Sequence, residues 1–184
     1  MIVGYQGEMG CYSYNSIKKY LKYVPKAFKT FEEVFIALNN GDIDYGYIPI
    51  ENTIGGRLHE NDKLIQKYNV KIIEKYDYKI NHNLIVYPGV THKDIKGVYS
   101  HWQALKQCDK YLLSKKYEPK EFYDTSGSCK YIKCNEIKNI GAIASKESAK
   151  IYGLEILDEN IQNNDNNITS FLLIRKILNQ NSLD

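Results

Sequence analysis

The chain of 184 residues has an ordinary globular composition, 43% hydrophobic and 26% charged, which excludes a disordered chain, a disulfide miniprotein and a collagenous repeat. The formal net charge is only +3 and the lysines are interleaved with acidic residues, so no basic nucleic-acid-binding stripe is expected. No apolar run reaches the roughly 18 residues of a membrane span. Because Met1 is followed by no signal-peptide pattern, the expected location is the cytoplasm.

Strands and helices are predicted to alternate along the first half of the chain. Thr30 and Glu33 have the spacing of a capping box, and Gly41 supplies the stop of the helix between them. In chain order the predicted elements are a strand at 2–3, a glycine-rich turn at 4–10, a helix from about Ser13 that ends before Pro25, the helix that starts after Thr30, a strand over 45–50, a helix near 60–68 and a strand over 70–73.

The same alternation is predicted for the second half. Its elements are a strand over 83–87, a short helix over 91–95, a strand over 97–100, a helix bearing Leu105 to Leu113, a strand over 121–123, a helix that starts within 124–128, a strand over 140–144, a helix over 146–152 and a strand over 168–175. Two such α/β units predict an α/β fold of two lobes with a central cleft, of the periplasmic-binding-protein type. We expect residues 1–77 plus 166–184 in lobe 1 and residues 78–165 in lobe 2.

Polar segments follow several predicted strands, where ligands of open α/β sheets bind. They are Gly7–Ser13, Asn52–Gly55, His101–Gln103 and Thr125–Ser128, and a fifth polar cluster, Asn166–Ser170, precedes the final strand. Since backbone N–H groups at helix starts favour anions, these segments predict a small anionic ligand held by neutral polar groups. Each also has a plain structural interpretation: Asn52 and Thr53 suit a turn, Thr125 suits a helix N-cap, and His101 suits a structural role.

The four cysteines indicate no metal site. Cys11, Cys108, Cys129 and Cys134 show no CxxC spacing and no paired histidines, which zinc sites usually have. We expect free thiols in a reducing compartment.

Five segments together resemble the catalytic domain of the prephenate dehydratases, a family that includes the arogenate dehydratases. The segments are Gly4-Tyr5-Gln6-Gly7 with Gly10-Cys11-Tyr12-Ser13, Asp44 with Pro49-Ile50-Glu51-Asn52-Thr53, Ser100-His101-Trp102-Gln103 through Cys108, Asp124-Thr125-Ser126-Gly127-Ser128, and Tyr152-Gly153-Leu154 with Asn167-Ile168-Thr169-Ser170-Phe171. They occur in the family's order and cover about residues 2–176.

The resemblance implies decarboxylation and dehydration of prephenate to phenylpyruvate in phenylalanine biosynthesis, with no metal and no other cofactor. It implies that Thr169 is the leading catalytic residue and that Asn52 and Gln103 orient and polarise the substrate. The implied substrate contacts are Ser13, Thr53, His101, Thr125 and Ser126. Arogenate as the substrate, or a non-catalytic two-lobed module that binds an anion, remain alternatives.

The sequence departs from the family pattern at three places. Ser170 stands where the family has an arginine, which weakens activity if that arginine binds substrate and changes little if it does not; Arg57 is a candidate to compensate. Trp102 stands where the family motif has a proline. The chain also stops at Asp184, so we expect no C-terminal phenylalanine-binding ACT domain in it. This leaves an unregulated enzyme, an enzyme with a separately encoded regulator, or a fragment of a longer protein as alternatives. We also expect a homodimer formed by the catalytic lobes.

Overall fold

Residues 1–177 are described by a computed structural model and divide into two α/β units. Unit 1 comprises residues 1–6, 16–78 and the described residues from Ile168, and unit 2 comprises residues 7–15 and 79–167. The expected lobe 1 differs from unit 1 mainly at residues 7–15, which belong to unit 2. Its residues 178–184 lie outside the described residues.

The helices and strands of the described residues alternate along the chain. In chain order they are β1 (Ile2–Gln6), α1 (Tyr12–Tyr20), β2 (Val24–Phe28), α2 (Phe31–Asn40), β3 (Tyr45–Asn52), β4 (Gly56–Arg57), α3 (His59–Tyr68), β5 (Val70–Lys79), β6 (Asn83–Val86), β7 (Gly97–Ser100), α4 (Trp102–Gln107), α5 (Asp109–Lys115), β8 (Glu118–Glu121), α6 (Thr125–Cys134), β9 (Ile140–Ala144), α7 (Lys146–Tyr152), β10 (Glu155–Asp158) and β11 (Ile168–Lys176).

The sheet of unit 1 has the strand order β2-β1-β3-β11-β5, with β4 paired to β3. Strand β1 is parallel to β2 and β3, whereas β11 is antiparallel to β3. Strand β2 was not predicted, because Pro25 marked the end of a helix rather than part of a strand. The structure places Pro25 in an edge strand, where a missing N–H is tolerated.

Side chains of β3 and β11 alternate between the two faces of this sheet. One face carries Ile48 and Ile174, which join helices α2 and α3 in an apolar core. The other face carries Tyr47 and Phe171, whose rings stack at 5.0 Å. The fully buried Tyr47 hydroxyl lies 2.7 Å from the Ser16 hydroxyl of α1, so neither group is left unsatisfied, which would cost about 1–3 kcal/mol.

Helix α2 confirms the predicted start and stop signals. Thr30 Oγ1 accepts a hydrogen bond from the Glu33 N–H at 3.2 Å, and Gly41 closes the helix in the left-handed conformation. The Glu33 carboxylate reaches one residue further back than in a capping box, since it accepts from the Lys29 N–H.

The sheet of unit 2 has the strand order β10-β6-β9-β7-β8 and carries helices on both faces. Leu84 and Val86 of β6 pack with α4 and α5, whereas Ile85 between them packs with α6 and α7. Burial on both faces explains why β9 and residues 84–86 of β6 are continuous apolar runs without polar alternation.

Three predictions in unit 2 were wrong in detail, and one strand was missed. Residues 91–95 form a turn and not a helix, because the Thr91 N–H and hydroxyl both donate to the Asp94 carboxylate. The strand predicted over 121–123 is β8, three residues earlier, and β10 was not predicted. The single helix predicted around Leu105 is divided into α4 and α5 at Cys108, whose backbone is not helical.

Candidate active site

Asn52 and Thr169 form a hydrogen-bonded pair where β3 ends and β11 begins. The Asn52 Nδ2 donates to Thr169 Oγ1 at 2.9 Å and to the Ile168 carbonyl at 3.2 Å. Its Oδ1 accepts from the backbone N–H groups of Ile54 and Gly55 at 3.0 and 2.7 Å. Because backbone N–H groups can only donate, they fix which end of the amide faces Thr169. The Thr169 hydroxyl therefore accepts from Asn52 and retains its own hydrogen for donation.

Backbone pairing places the two side chains opposite each other. In the antiparallel register Thr169 lies across from Asn52. The Thr53 N–H donates to the Ile168 carbonyl, and the Ile168 N–H donates to Thr53 Oγ1, both at 2.9 Å. Thr53, predicted as a substrate contact, thus uses its hydroxyl oxygen to hold the start of β11.

Ser170, where the family has arginine, lies on the other face of the strand. It precedes Leu172 by two residues and shares the face that packs on α2 and α3, whereas Thr169 shares the face of Phe171. The Ser170 hydroxyl donates to Asp77 Oδ1 at 2.5 Å. The change at residue 170 therefore leaves the polar groups beside the Thr169 hydroxyl unaltered.

Arg57 forms an ion pair with the carboxylate of Asp62. Its Nε and Nη2 donate to the two oxygens of Asp62 at 2.9 and 2.6 Å, a bidentate geometry that is among the stronger side-chain contacts. This pairing gives no support to the expectation that Arg57 replaces the missing arginine.

The glycine-rich loop of unit 2 is organised around the Gly10 carbonyl. This oxygen accepts from Asn15 Nδ2 at 3.0 Å and from the hydroxyls of Ser145 and Ser148 at 2.7 and 2.9 Å. Both serines lie at the start of α7, so the loop is anchored to that helix. Ser13, a predicted substrate contact, follows the loop in α1 and is 9% exposed.

The start of α6 anchors the preceding residue of the loop. The Ser126 hydroxyl has no exposed surface, donates to the Met9 carbonyl at 2.6 Å and lies 2.8 Å from the Ser148 hydroxyl. These contacts give Ser126 a supporting position under the loop rather than an open one. The N-cap of α6 is Asp124, which accepts from the Gly127 N–H, so Thr125 is the first helical residue and not the cap.

Asp124 is a buried carboxyl group with an altered pKa. Burial, reinforced by the nearby charge of Glu8, raises its pKa to about 6 despite hydrogen bonds from backbone N–H groups. The Glu8 carboxylate in turn accepts from the Tyr123 hydroxyl and from Lys130 Nζ, each at 3.0 Å. A charged, hydrogen-bonded cluster thus lies at the junction of the glycine-rich loop and α6.

His101 and Gln103 occupy the start of α4. His101 Nδ1 accepts from the Gln103 N–H at 3.4 Å, and burial lowers the pKa of His101, an effect that Glu121 partly offsets. Trp102 is 49% exposed, with its ring centroid 5.8 Å from that of His101. Tryptophan in the place of the family's proline is therefore compatible with a helix start and with the His101 cap.

Unit 2 contains a second polar cluster that was not predicted from the sequence. His82 Nδ1 lies 2.8 Å from the Tyr12 hydroxyl, and its Nε2 lies 2.8 Å from Gln107 Oε1, which also accepts from Asn167 Nδ2 at 2.9 Å. His82 is 2% exposed, and burial lowers its pKa to about 4. Gln107 stands in a motif already singled out, but nothing in the sequence indicates that His82 is buried.

Among the described residues, no group of three or more His, Cys, Asp or Glu side chains is placed to hold a metal ion. Within residues 1–177, no helix has the length and apolar content needed to cross a membrane.

Comparison with known proteins identifies the family. The family model described as prephenate dehydratase matches residues 3–178. The chain is 38% identical over 173 residues to the prephenate dehydratase of Methanocaldococcus jannaschii, covering 91% of this chain and 62% of that protein. It is 35% identical over 175 residues to arogenate dehydratase 2 of Petunia hybrida, covering 95% of this chain and 44% of that protein. The chain thus spans less than two thirds of each relative.

Solved structures confirm the predicted α/β, periplasmic-binding-protein-like fold class. The prephenate dehydratase of Staphylococcus aureus subsp. aureus Mu50 is similar with a TM-score of 0.82 and 26% identity, over 97% of this chain and 67% of that one. A nutrient binding protein from Burkholderia cenocepacia, whose structure holds methionine, is similar with a TM-score of 0.51 and 13% identity, over 96% of this chain and 84% of that one. The second likeness concerns the fold alone.

Asp124 and His82 are expected to have opposing effects on acid stability. The folded-state pKa of Asp124 is raised, so its protonation stabilises the fold as the pH falls from about 6 to 4; that of His82 is lowered, so its protonation destabilises the fold over a similar range. Asp124→Asn should therefore lose about 2 kcal/mol more of its free energy of unfolding than the wild type between pH 6 and pH 4. Urea unfolding at constant ionic strength measures this, with Asp42→Asn at an exposed site as the control. Parallel curves for all three proteins would contradict the Asp124 pKa.

Gly10 and Gly89 form a matched pair for testing how tightly the loop is packed. Both have positive φ, +91° and +82°, but a Cβ on Gly10 would lie 2.9 Å from Ser126 Oγ, whereas a Cβ on Gly89 would meet nothing within 4 Å. Gly89→Ala should lower the free energy of unfolding by about 1–2 kcal/mol through the backbone conformation alone. Gly10→Ala should lower it by about 1–3 kcal/mol more, because the added Cβ overpacks the loop. Urea unfolding gives both values, and equal losses would show that the loop yields without strain.

Proposed function

Because the chain belongs to the prephenate dehydratase family, we propose that it is a carbon–oxygen lyase that converts prephenate to phenylpyruvate, carbon dioxide and water. The observation that carries this proposal is the hydrogen-bonded pair of Asn52 and Thr169, with a hydroxyl oriented by an amide. Both residues lie within residues 3–178, the range that the family model matches.

The reaction needs stabilisation of a leaving group more than a reactive nucleophile. The bond between the ring and its carboxylate breaks, and that electron pair enters the ring as carbon dioxide departs. The bond between the ring and its hydroxyl group breaks at the far side, and the hydroxide becomes water on taking a proton. Aromatisation of the ring supplies the driving force.

Thr169 acts in this scheme as a hydrogen-bond donor to the departing hydroxyl group. An alcohol is far too weak an acid to protonate the leaving group outright near neutral pH, but an oriented O–H stabilises the developing negative charge. Asn52 fixes that orientation by donating to Thr169 Oγ1, while its own Oδ1 is held by two backbone N–H groups. The site is thereby organised before substrate arrives.

The other predicted contacts divide into two groups. Ser13, His101, Gln103 and Thr125 are proposed to contact or orient the anionic substrate. Thr53 and Ser126 are proposed to hold β11 and the glycine-rich loop, because each hydroxyl already bonds to a backbone group.

Arogenate is the second candidate substrate, since the relatives of this chain include proteins named for either activity. We also propose a cytoplasmic homodimer. The free thiols of its cysteines suit a reducing compartment, and the 17 tyrosines are of a residue type enriched at interfaces. Sedimentation velocity tests the dimer.

The proposal is tested by incubating the purified chain with prephenate and, separately, with arogenate at neutral pH. Formation of phenylpyruvate is followed by its enolate absorbance, and formation of phenylalanine by amino-acid analysis. Trp102 is the one tryptophan of the sequence, so its fluorescence reports binding near the start of α4. Binding without turnover of either substrate would favour the non-catalytic anion-binding module and reject the enzyme.

Thr169→Val is expected to lower kcat by about 10²–10³-fold, the usual effect of removing one hydrogen-bond donor to a transition state. Valine keeps the shape and suits a strand, so KM and the free energy of unfolding should change little. Ser170→Ala is the matched control on the opposite face, and its kcat should stay within about twofold of wild type. Equal kcat values for Thr169→Val and wild type would remove Thr169 from the chemistry.

A further inference from the structure

We propose that His82 is a positioning residue for the reaction: through Gln107 and Asn167 it holds the segment that leads into Thr169. The inference rests on the proposed function, because it concerns the same catalytic hydroxyl. His82 itself stands 87 positions before Thr169 in the sequence and belongs to none of the predicted site segments.

The His82 ring is fixed on both of its nitrogens. Nε2 lies 2.8 Å from Gln107 Oε1, and Nδ1 lies 2.8 Å from the Tyr12 hydroxyl. The backbone N–H of His82 donates to Gln162 Oε1 at 2.9 Å. With 2% of its surface exposed, the side chain has no room to leave this arrangement without breaking these contacts.

The Gln107 side of the cluster indicates which nitrogen of His82 carries the hydrogen. Gln107 Oε1 accepts from Asn167 Nδ2, so the atom that faces His82 Nε2 is an oxygen and Nε2 must carry the hydrogen. Nδ1 then lies 2.8 Å from the Tyr12 hydroxyl, whose single hydrogen has the Asn81 carbonyl, also at 2.8 Å, as its other acceptor. The low pKa of His82, about 4, keeps the ring neutral near neutral pH.

Asn167 transmits the constraint to the start of β11. It is fully buried, its side chain donates to Gln107, and its carbonyl accepts from the Ile80 N–H at 2.8 Å. The next residue, Ile168, has both backbone groups bonded to Thr53. Three consecutive residues, 167 to 169, are therefore each fixed by side-chain hydrogen bonds, and His82 fixes the first of them.

Loss of the Nε2 donor should disturb the position of Thr169 more than the binding of substrate. A displacement of about 1 Å in a reacting group can cost about 10²-fold in rate. Asparagine at residue 82 can satisfy the Tyr12 side but is too short to reach Gln107, whereas glutamine can place an amide N–H near the position of Nε2. The two variants therefore separate the donor to Gln107 from the mere presence of a buried polar side chain.

The experiment compares His82→Asn and His82→Gln in the full chain with the better of the two substrates. We expect His82→Asn to lower kcat by about 10- to 100-fold with KM within about threefold, and His82→Gln to recover most of the loss. Unchanged kcat in His82→Asn, equal losses in both variants, or a loss confined to KM would overturn the proposal. If His82→Asn does not fold, Asn167→Ser interrupts the same chain of bonds and should show the same loss of kcat.

A second measurement is independent of turnover. Amide hydrogen exchange at Ile168 and Thr169, read by NMR, should be faster in His82→Asn than in wild type and close to wild type in His82→Gln. Equal exchange in all three proteins would overturn the positioning role. If wild type converts neither substrate, the proposed function fails, while the exchange rates still decide whether His82 holds this segment.

Discussion

The antiparallel pairing of β3 with β11 is the constraint on which the candidate active site depends. Residues 52 and 169 are opposite each other only in this register, and a slip of one residue would turn either side chain to the other face. The apolar faces set the register from Phe171 to Ile174: Ile48 and Ile174 reach the core with α2 and α3, while Tyr47 and Phe171 stack on the other side. The pairing then shifts by one residue between Ser170 and Phe171, which brings Thr169 opposite Asn52. The position of the polar pair thus depends on this local shift as well as on the burial of apolar neighbours along the same strands.

Polar groups in unit 2 are used mainly to fix backbone. Hydroxyls at the start of α6 and α7 donate to the carbonyls of Met9 and Gly10, and the carboxylate of Asp124 accepts from backbone N–H groups. Such satisfied networks specify a single loop conformation at the cost of burying groups that would otherwise be hydrated. The pKa values of Asp124 and His82 reflect that cost: burial raises the first and lowers the second, and both shifts favour the neutral form of the side chain.

The parts of the fold that sequence predicted were those with strong local signals. Helix α7 and strands β7 and β9 have the predicted bounds, because capping residues and apolar runs mark their ends. Strand β2 was missed because Pro25 is tolerated only at a sheet edge, and edge position is a tertiary property. The motif resemblance was confirmed by the family match. The hydrogen bond from Ser126 to a backbone carbonyl and the burial of His82 could not be predicted, because both depend on contacts between residues far apart in sequence.

The insertion of β11 between β3 and β5 has a consequence for synthesis of the chain. Both neighbours leave the ribosome long before residues 168–176, so until β11 arrives each presents a row of unpaired N–H and C=O groups along one side. These edges are templates for pairing with another nascent chain. The sheet that carries Asn52 is therefore completed last, and the interval before its completion is when the protein is most exposed to aggregation.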